Sequence, residues 1–281
     1  MGFGRSIDEV EVKRANIRHH DVEAEFFENA HPEGSSLYER VKVSRDIREI
    51  VRRSEVRDVC IDVGCGTGFL TGFELPFYKL VVAADISRNM LRVVKRRFRG
   101  EESLNLLVCD ADFLPFRDGV ADLISVSSVL HHLPRPFRTL REFFRVLRRG
   151  GFIFINREPS YQRFRRFLDF FEYLLVRYGF RFLPFLRSRL KDSDSSVHVE
   201  GLDYSKVDVH YPMGFHFAQL SEALSSEGFE VLSAYSYHWI YPYSRIVWLR
   251  RLLTESNFLF ERLPLSDRFG RYVSVVARKT C

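Results

Sequence analysis

Short apolar runs alternate with amphipathic stretches from residue 58 onward. This alternation predicts strands and helices in turn, which is typical of a parallel α/β sheet. Strands are predicted at 59–61, 80–84, 104–108, 123–126, 152–155, 229–232 and 272–277. Helices are predicted at 87–99, 137–147 and 217–226, where apolar side chains recur at helical spacing. Gly150 and Gly151 are expected to end the second of these helices.

Two stretches fall outside this alternation. Residues 1–57 are helical in pattern, and residues 158–214 separate the fifth strand from the next helix. Because connections in α/β units usually need about two to six residues, the second stretch is expected to have structure of its own. We therefore divide the chain into an N-terminal helical segment (1–57), a core (58–157), an inserted cap (158–214) and a C-terminal part of the sheet (215–281).

Composition limits the classes of protein to which this chain can belong. The 281 residues are 46% hydrophobic and 28% charged, with a net charge of +6 and 27 Phe. The basic residues are mostly Arg and are spread along the chain, so a dedicated nucleic-acid arm is not expected. We find no membrane span and no secretory signal, and the four cysteines form no CxxC pair. These observations favour a cytoplasmic location.

A glycine-rich turn follows the first predicted strand, with the sequence Asp62-Val63-Gly64-Cys65-Gly66-Thr67-Gly68. Glycines in such a turn allow a tight bend and close approach of the backbone to a ligand. The dinucleotide fingerprint GxGxxG would require glycine where this chain has Phe69. Asp62 would repel a pyrophosphate at the turn, but it would attract a ligand that carries an ammonium group.

Two further acids lie where the second and third strands end. Asp85 can accept hydrogen bonds from both hydroxyls of a ribose, and Asp110 can accept one from an exocyclic adenine amine. The carboxyl ends of parallel strands meet at one crevice, where ligands bind in open α/β folds. Each acid alone would be an ordinary cap or loop residue, but the three acids together with the turn predict a ligand site.

These residues resemble the class I S-adenosylmethionine-dependent methyltransferases, in the branch that includes the ubiquinone and menaquinone methyltransferases. The resemblance covers about residues 58–157 and implies an α/β fold. That fold is a doubly wound, mostly parallel, Rossmann-like sheet of seven strands with an antiparallel last strand and a helical cap. It also implies S-adenosyl-L-methionine as the cofactor, a cation without phosphate. The matching residues are Asp62–Gly68, Asp85-Ile86, Asp110-Ala111, Leu114-Pro115-Phe116, Asp122, Leu130-His131-His132-Leu133 and Arg149-Gly150-Gly151.

The resemblance also implies roles for single residues. The methionine moiety of the cofactor is expected beside Asp62, Gly64, Cys65, Gly66, Thr67 and Gly68. Asp85 is expected at the ribose, and the backbone of Ser127 near the sulfonium. The adenine is expected between Ile86 and Met90, with Asp110 and Ala111 at its amine.

Methyl transfer to a hydroxyl or a protonated amine requires removal of a proton. Among the titratable residues, His131 and His132 are the best-placed catalytic candidates because they follow the fourth strand. The same pair could instead only pack or cap the following helix. Adjacent histidines at 19–20 and 131–132 also suggest a metal. However, neighbours in a helix point about 100° apart. Neither pair has further ligands at zinc spacing, so no metal is predicted.

The segment 158–214 is expected to determine the methyl acceptor. Its apolar residues Phe164, Phe167, Leu168, Phe171, Leu175 and Tyr178 would share one helical face. This face could pack on the sheet, line an apolar pocket or touch a membrane surface. A small or lipid-like acceptor is therefore favoured, at an undetermined O, N or C atom. The alternatives are an RNA methyltransferase and a non-catalytic scaffold that retains the cofactor fold; the even charge distribution makes nucleic acid a poorer fit.

Overall fold

Seven strands form one mixed sheet in the computed structural model, which describes residues 8–30, 36–161, 203–210, 214–238, 254–261 and 270–281. The strand order is β3-β2-β1-β4-β5-β7-β6. β1 to β5 are parallel, and β7 runs antiparallel between β5 and β6. The strands are β1 (Val59–Val63), β2 (Leu80–Asp85), β3 (Leu104–Val108), β4 (Ala121–Ser127), β5 (Leu147–Pro159), β6 (Phe229–Tyr237) and β7 (Tyr272–Lys279).

Helices precede and connect these strands. In the described residues they are α1 (Glu9–Glu23), α2 (Phe27–Ala30), α3 (Leu37–Arg53), α4 (Thr71–Glu74), α5 (Arg88–Arg97), α6 (Pro136–Val146), α7 (Phe217–Ser226) and α8 (Asn257–Phe260). Short 3₁₀ helices cover Leu130–His132 and Tyr204–Lys206. Side-chain caps begin α1, α3 and α5: Asp8, Ser36 and Ser87 each accept a hydrogen bond from a backbone N–H of the first turn.

The sheet is buried on both faces, because its central strands are continuous apolar runs. One face packs against α6 and α7 through Leu140, Phe143 and Leu220, and the other against α3 through Val43 and Ile47. The chain order reverses between the neighbouring strands β1 and β4. Ligands of open α/β sheets bind outside the carboxyl ends of the strands at such a point.

The fold class predicted from the sequence is confirmed, including the antiparallel last strand. The predicted helical cap lies mostly outside the described residues. The helix 217–226 and the strand 104–108 have their predicted bounds. No helix among the described residues is long and apolar enough to cross a membrane.

The fifth strand differs most from its prediction. It begins at Leu147 rather than residue 152, and α6 already ends at Val146. Gly150 and Gly151 therefore lie inside β5 and do not terminate the helix. Gly150 has a φ of +77°, and the pairing register with β4 shifts between Ala121 and Leu123. The glycines thus form an irregularity within the strand, where backbone without side chains is easily accommodated.

Candidate functional site

The glycine-rich turn leaves β1 at the switch point and folds back on β2. Cys65 N–H donates to the Ala84 carbonyl at 3.0 Å, and Gly68 N–H donates to the Cys65 carbonyl at 2.8 Å. Cys65 and Thr67 are buried, so the turn is packed into the molecule. The predicted strand–turn–helix context of the motif is therefore present.

Two glycines of this turn have different surroundings. Gly64 has a φ of +66°, and a Cβ there would lie 2.4 Å from Val129 Cγ2. Gly66 has a φ of +53°, and among the described residues a Cβ there would meet only Phe27 Cζ, at 4.0 Å. Gly64 is thus needed for internal packing, whereas the bare face of Gly66 points into open space where a ligand can approach.

Asp62 is a buried carboxyl group beneath the turn. Its Oδ2 accepts hydrogen bonds from the hydroxyl of Thr71 at 2.6 Å and from the N–H of Thr71 at 2.9 Å. Burial raises the pKa of Asp62 to about 7, and Thr71 opposes that rise. Burial, with Asp62 nearby, also raises the pKa of Glu74 well above its usual range. Two buried acids therefore face each other, an arrangement that a positive charge would stabilise.

Asp85 connects the turn to the next helix. Its Oδ2 accepts from Gly66 N–H at 2.8 Å, and its Oδ1 accepts from Ser87 N–H at 2.8 Å. Burial raises the pKa of Asp85, opposed by these hydrogen bonds and by His20 and His132. The two residues predicted at the adenine lie next to it in sequence: Ile86 is half-buried, and Met90 is buried in the first turn of α5.

Asp110 follows β3 beside Asp85, since Cys109 N–H donates to the Asp85 carbonyl at 3.1 Å. Lys13 of α1 forms ion pairs of 2.6 Å with both Asp110 and Asp112. Ala111, between these two acids, is half-buried. The structure thus places Asp110 at the predicted edge of the crevice and adds a cationic partner that the motif did not indicate.

Helix α1 lies across the ends of these strands. Asp21 Oδ1 accepts from the Ser87 hydroxyl at 2.6 Å, and the Asn89 amide donates to the Asp21 carbonyl at 2.8 Å. On the opposite side, the Asn16 amide donates to the Val207 carbonyl at 3.4 Å. Helix α1 therefore bridges the start of α5 and the backbone at Val207. The family resemblance predicts that the N-terminal segment covers the cofactor site, and this stays a prediction.

The ends of β4 and β5 carry unusual backbone. Ser128 and Arg157 have positive φ values of 57° and 55° although neither is glycine. Ser128 N–H donates to the Asn156 carbonyl at 3.0 Å, and the Ser128 hydroxyl donates to the Arg157 carbonyl at 3.0 Å. Such backbone clusters at functional sites, because the surrounding contacts must hold it in place. Ser127, half-buried at the end of β4, lies directly before it.

His131 is held by a buried carboxylate. Glu158 accepts from His131 Nδ1 at 2.9 Å and from the backbone N–H groups of Val129 and Leu130 at 2.8 and 2.9 Å. Burial alone would raise the pKa of Glu158, but these donors hold it below its usual range. Burial lowers the pKa of His131. The imidazole is thus fixed in place just after the end of β4.

His132 is held by a distant part of the chain. Its Nδ1 lies 2.9 Å from the Val207 carbonyl oxygen and 3.0 Å from Asp208 Oδ1. The rings of His131 and His132 have centroids 4.0 Å apart, and the ring of His20 lies 5.1 Å from that of His132. The expectation that neighbouring histidines diverge is therefore wrong for this pair.

Several residues of the site were not indicated by the sequence motifs. Thr71 and Glu74 lie one turn of helix beyond the glycines, and Lys13, Asp21 and Asp208 come from segments outside the core. Asp21 carries a weak signal, since it follows His19 and His20 directly. The others become recognisable only when the strands are assembled.

Comparison with known proteins supports this description. Residues 61–155 match a protein family described as "Methyltransferase domain", a stretch that runs from β1 into β5. These residues therefore match a methyltransferase domain, in agreement with the resemblance found in the sequence. The family implies S-adenosyl-L-methionine as its cofactor.

Two curated relatives illustrate the range of similar proteins. A demethylmenaquinone methyltransferase of Symbiobacterium thermophilum is 36% identical over 136 residues, covering 45% of this chain and 53% of that protein. A malonyl-[acyl-carrier protein] O-methyltransferase of Marinomonas sp. is 33% identical over 98 residues, covering 34% of this chain and 36% of that protein. The chain thus matches about half or less of the length of these relatives.

Solved structures share the fold over nearly the whole chain. A protein of Haloferax volcanii, described as a methyltransferase and solved in complex with the Trm112 methyltransferase activator, has a TM-score of 0.55 at 16% identity. The match covers 95% of this chain and 97% of that one. At this identity the similarity concerns the fold alone.

Proposed function

We propose that this protein transfers the methyl group of S-adenosyl-L-methionine to a small or lipid-like acceptor. The observation that carries the proposal is the assembly of Asp62, Asp85 and Asp110 around an open glycine turn at the switch point of the sheet. This assembly lies within the stretch that matches the methyltransferase domain family.

The donor set fits the proposed cofactor. The bound cofactor would supply a methyl group already activated by a sulfonium. Asp62 and Glu74 are both buried, and burial raises the pKa of each carboxyl group. A cationic ligand beside them would offset this cost of burial. The open face at Gly66 leaves room for a ligand between the turn and α2. We assign Asp62 and the segment Gly64–Gly68 to the methionine end, Asp85 to the ribose, and Ile86, Met90, Asp110 and Ala111 to the adenine.

The acceptor is proposed to approach past the end of β4, where Ser127, His131 and His132 lie. We assign His131 and His132 to the part of the acceptor that loses a proton on methylation. This chain's task is to orient the acceptor and exclude water, because the reacting carbon needs no further activation. The relatives reported above are named demethylmenaquinone methyltransferase and malonyl-[acyl-carrier protein] O-methyltransferase, which supports a lipid-like acceptor in the cytoplasm.

Calorimetric titration with S-adenosylhomocysteine tests the cofactor assignment. We expect one site per chain with micromolar affinity, weakened about 30- to 100-fold in Asp85→Asn. Affinity should be kept in Asp118→Asn, whose carboxylate is exposed and pairs with Arg145. No binding at millimolar ligand would contradict the proposal.

Transfer of radiolabelled methyl groups to a cell extract tests turnover and the class of acceptor. We expect the label in the organic-solvent fraction. Label in RNA would instead support an RNA methyltransferase, and cofactor binding without transfer to any fraction would support a non-catalytic scaffold.

A further inference from the structure

The structure assembles an unexpected cluster of imidazoles and carboxylates beside the cofactor crevice. Among the described residues, two groups of three could hold a metal ion: His131, His132 and Asp208, and separately His19, His20 and Glu23. We propose that the first group, which we call the His-His-Asp site, binds a single divalent transition-metal ion.

The donor atoms have suitable spacing. Asp208 Oδ1 lies 3.0 Å from His132 Nδ1 and 3.8 Å from His131 Nε2. Ligands placed about 2.0–2.1 Å from a tetrahedral zinc ion stand about 3.3 Å from one another, between these two distances. All three donor atoms lie within 4.8 Å of one another, so adjustment of these side chains can bring them around one ion.

The chemistry of the donors fits this ion class. Two imidazoles and one carboxylate leave coordination positions open, as at catalytic zinc sites and non-haem iron sites. Ca²⁺ and Mg²⁺ prefer all-oxygen sites and fit less well. His132 Nδ1 donates to the Val207 carbonyl oxygen at 2.9 Å in the metal-free chain, so an ion that binds Nδ1 displaces this proton.

Glu158 supplies the supporting interaction that such sites need. It holds His131 Nδ1 at 2.9 Å, which directs the other ring nitrogen, Nε2, toward Asp208. Histidine ligands of metal ions commonly donate their second N–H to a carboxylate in this way. Glu158 is fully buried and also accepts three backbone N–H groups, so its position is fixed before any ion arrives.

The second group lacks this support. His19, His20 and Glu23 share one helix, with Glu23 Oε2 at 3.3 Å from His19 Nε2 and 3.6 Å from His20 Nδ1. Neither His19 Nδ1 nor His20 Nδ1 has a hydrogen-bond partner within the described part of the chain. We therefore place the ion at the His-His-Asp site and treat the helical group as a competitor to be tested.

The location suggests what the ion would contact. The Asp208 side chain is 43% exposed, so one side of the site can be reached by a small molecule. If the chain is a methyltransferase as proposed, an oxygen of the acceptor is the group that would complete the coordination. A metal ion lowers the pKa of a bound hydroxyl, which would favour oxygen acceptors over amines.

The test is a titration of the metal-stripped full chain with Zn²⁺, with Co²⁺ absorption spectra as a readout of coordination geometry. We expect one Zn²⁺ per chain and a tetrahedral Co²⁺ spectrum. Asp208→Asn and His132→Gln should weaken Zn²⁺ binding at least tenfold, and Glu158→Gln about tenfold. His216→Gln, which changes an exposed histidine at the start of α7, should bind as the wild type does.

The outcomes separate the proposals. Binding that survives in Asp208→Asn but is lost in Glu23→Gln would place the ion at the helical group and overturn the assignment. Absence of Zn²⁺ binding at millimolar ion would overturn it as well. S-adenosylhomocysteine binding, measured on the same samples without metal, confirms that each variant is folded. It also tests the proposed function independently of the ion.

Discussion

The two sides of the crevice are built in different ways. On the cofactor side, Asp62, the glycine turn and Asp85 lie within 24 consecutive residues and are fixed by two neighbouring strands. On the acceptor side, His132 meets Asp208 from 76 residues away, and His131 meets Glu158 from the end of β5. A local motif therefore defines the first side, whereas the second exists only once distant segments have come together.

The largest effect is expected when two glycines of the same turn are replaced by alanine, one at a time. We expect Gly64→Ala to lower the free energy of unfolding by about 3 kcal/mol, because its methyl group would clash with Val129 and its φ is positive. Gly66→Ala should lower it by only about 1 kcal/mol and instead weaken S-adenosylhomocysteine binding at least tenfold. Denaturant unfolding and calorimetry measure both effects.

Adding Val129→Ala to the Gly64→Ala chain provides the control. The double variant should recover part of the lost stability, since Val129 Cγ2 is the atom nearest to the added methyl group. Equal losses of stability in the two alanine variants would contradict the distinction between a packing glycine and a ligand-facing one.

Removing the charge of Asp85 tests its role on the proposed cofactor side. In Asp85→Asn one acceptor oxygen is replaced by an amide group facing the N–H of Gly66 or Ser87. We expect S-adenosylhomocysteine affinity to fall about 30- to 100-fold, corresponding to about 2–3 kcal/mol. Calorimetry measures the affinity, with Asp118→Asn as the reference. An affinity of Asp85→Asn within threefold of wild type would contradict the assignment of Asp85 to the cofactor.

Asp62 should make the free energy of unfolding depend on pH. Its pKa is raised by burial to about 7, above that of an unfolded aspartate, so the native state retains its proton longer than the unfolded state. Stability from this group is full below about pH 4 and is lost as pH rises toward 7. Between pH 5 and 8 the wild-type protein should therefore lose unfolding free energy, and Asp62→Asn should lose about 2 kcal/mol less over the same range.

Urea denaturation at both pH values measures the effect of Asp62. Asp118→Asn should keep the wild-type dependence, because its carboxylate is exposed. An unchanged difference between pH 5 and 8 in Asp62→Asn would show that this carboxyl group is ionised at neutral pH.

Glu158 is the corresponding test of the acceptor side. In the wild type, the carboxylate of Glu158 accepts from Val129 N–H and His131 Nδ1. Glu158→Gln replaces it with an amide, so the unfolding free energy should fall by about 1–2 kcal/mol. S-adenosylhomocysteine affinity should change less than threefold. Glu227→Gln, at a surface pair with Arg141, should cost under about 1 kcal/mol. A loss of cofactor binding in Glu158→Gln would show that the two sides are not separate.

The sequence predicted the parts that local patterns determine. The alternation of strands and helices and the turn at Gly64–Gly68 follow from apolar periodicity and glycine spacing, and their placement in the structure agrees. The beginning of β5 at Leu147 was missed, because Gly150 suggested a helix end although pairing with Ala121 of β4 already holds the strand there. Tertiary pairing here overrides the local signal.

The partners of the predicted site residues could not be predicted. Lys13 reaches Asp110 from α1, and Asp208 reaches His132 from near the end of the expected cap. No periodicity connects such residues, because their meeting depends on how α1 and residues 203–210 pack over the sheet. The sequence argument against a metal rested on the absence of nearby ligands, and three-dimensional proximity removes that argument.

The position of β7 has a consequence for how the chain is made. β6 pairs with β7, and β7 lies between β6 and β5. On a ribosome, residues 229–237 emerge before residues 272–279, so β6 must wait for a strand that has not yet been synthesised. The five parallel strands can assemble during translation, whereas the antiparallel end of the sheet closes only after residue 279 has left the exit tunnel.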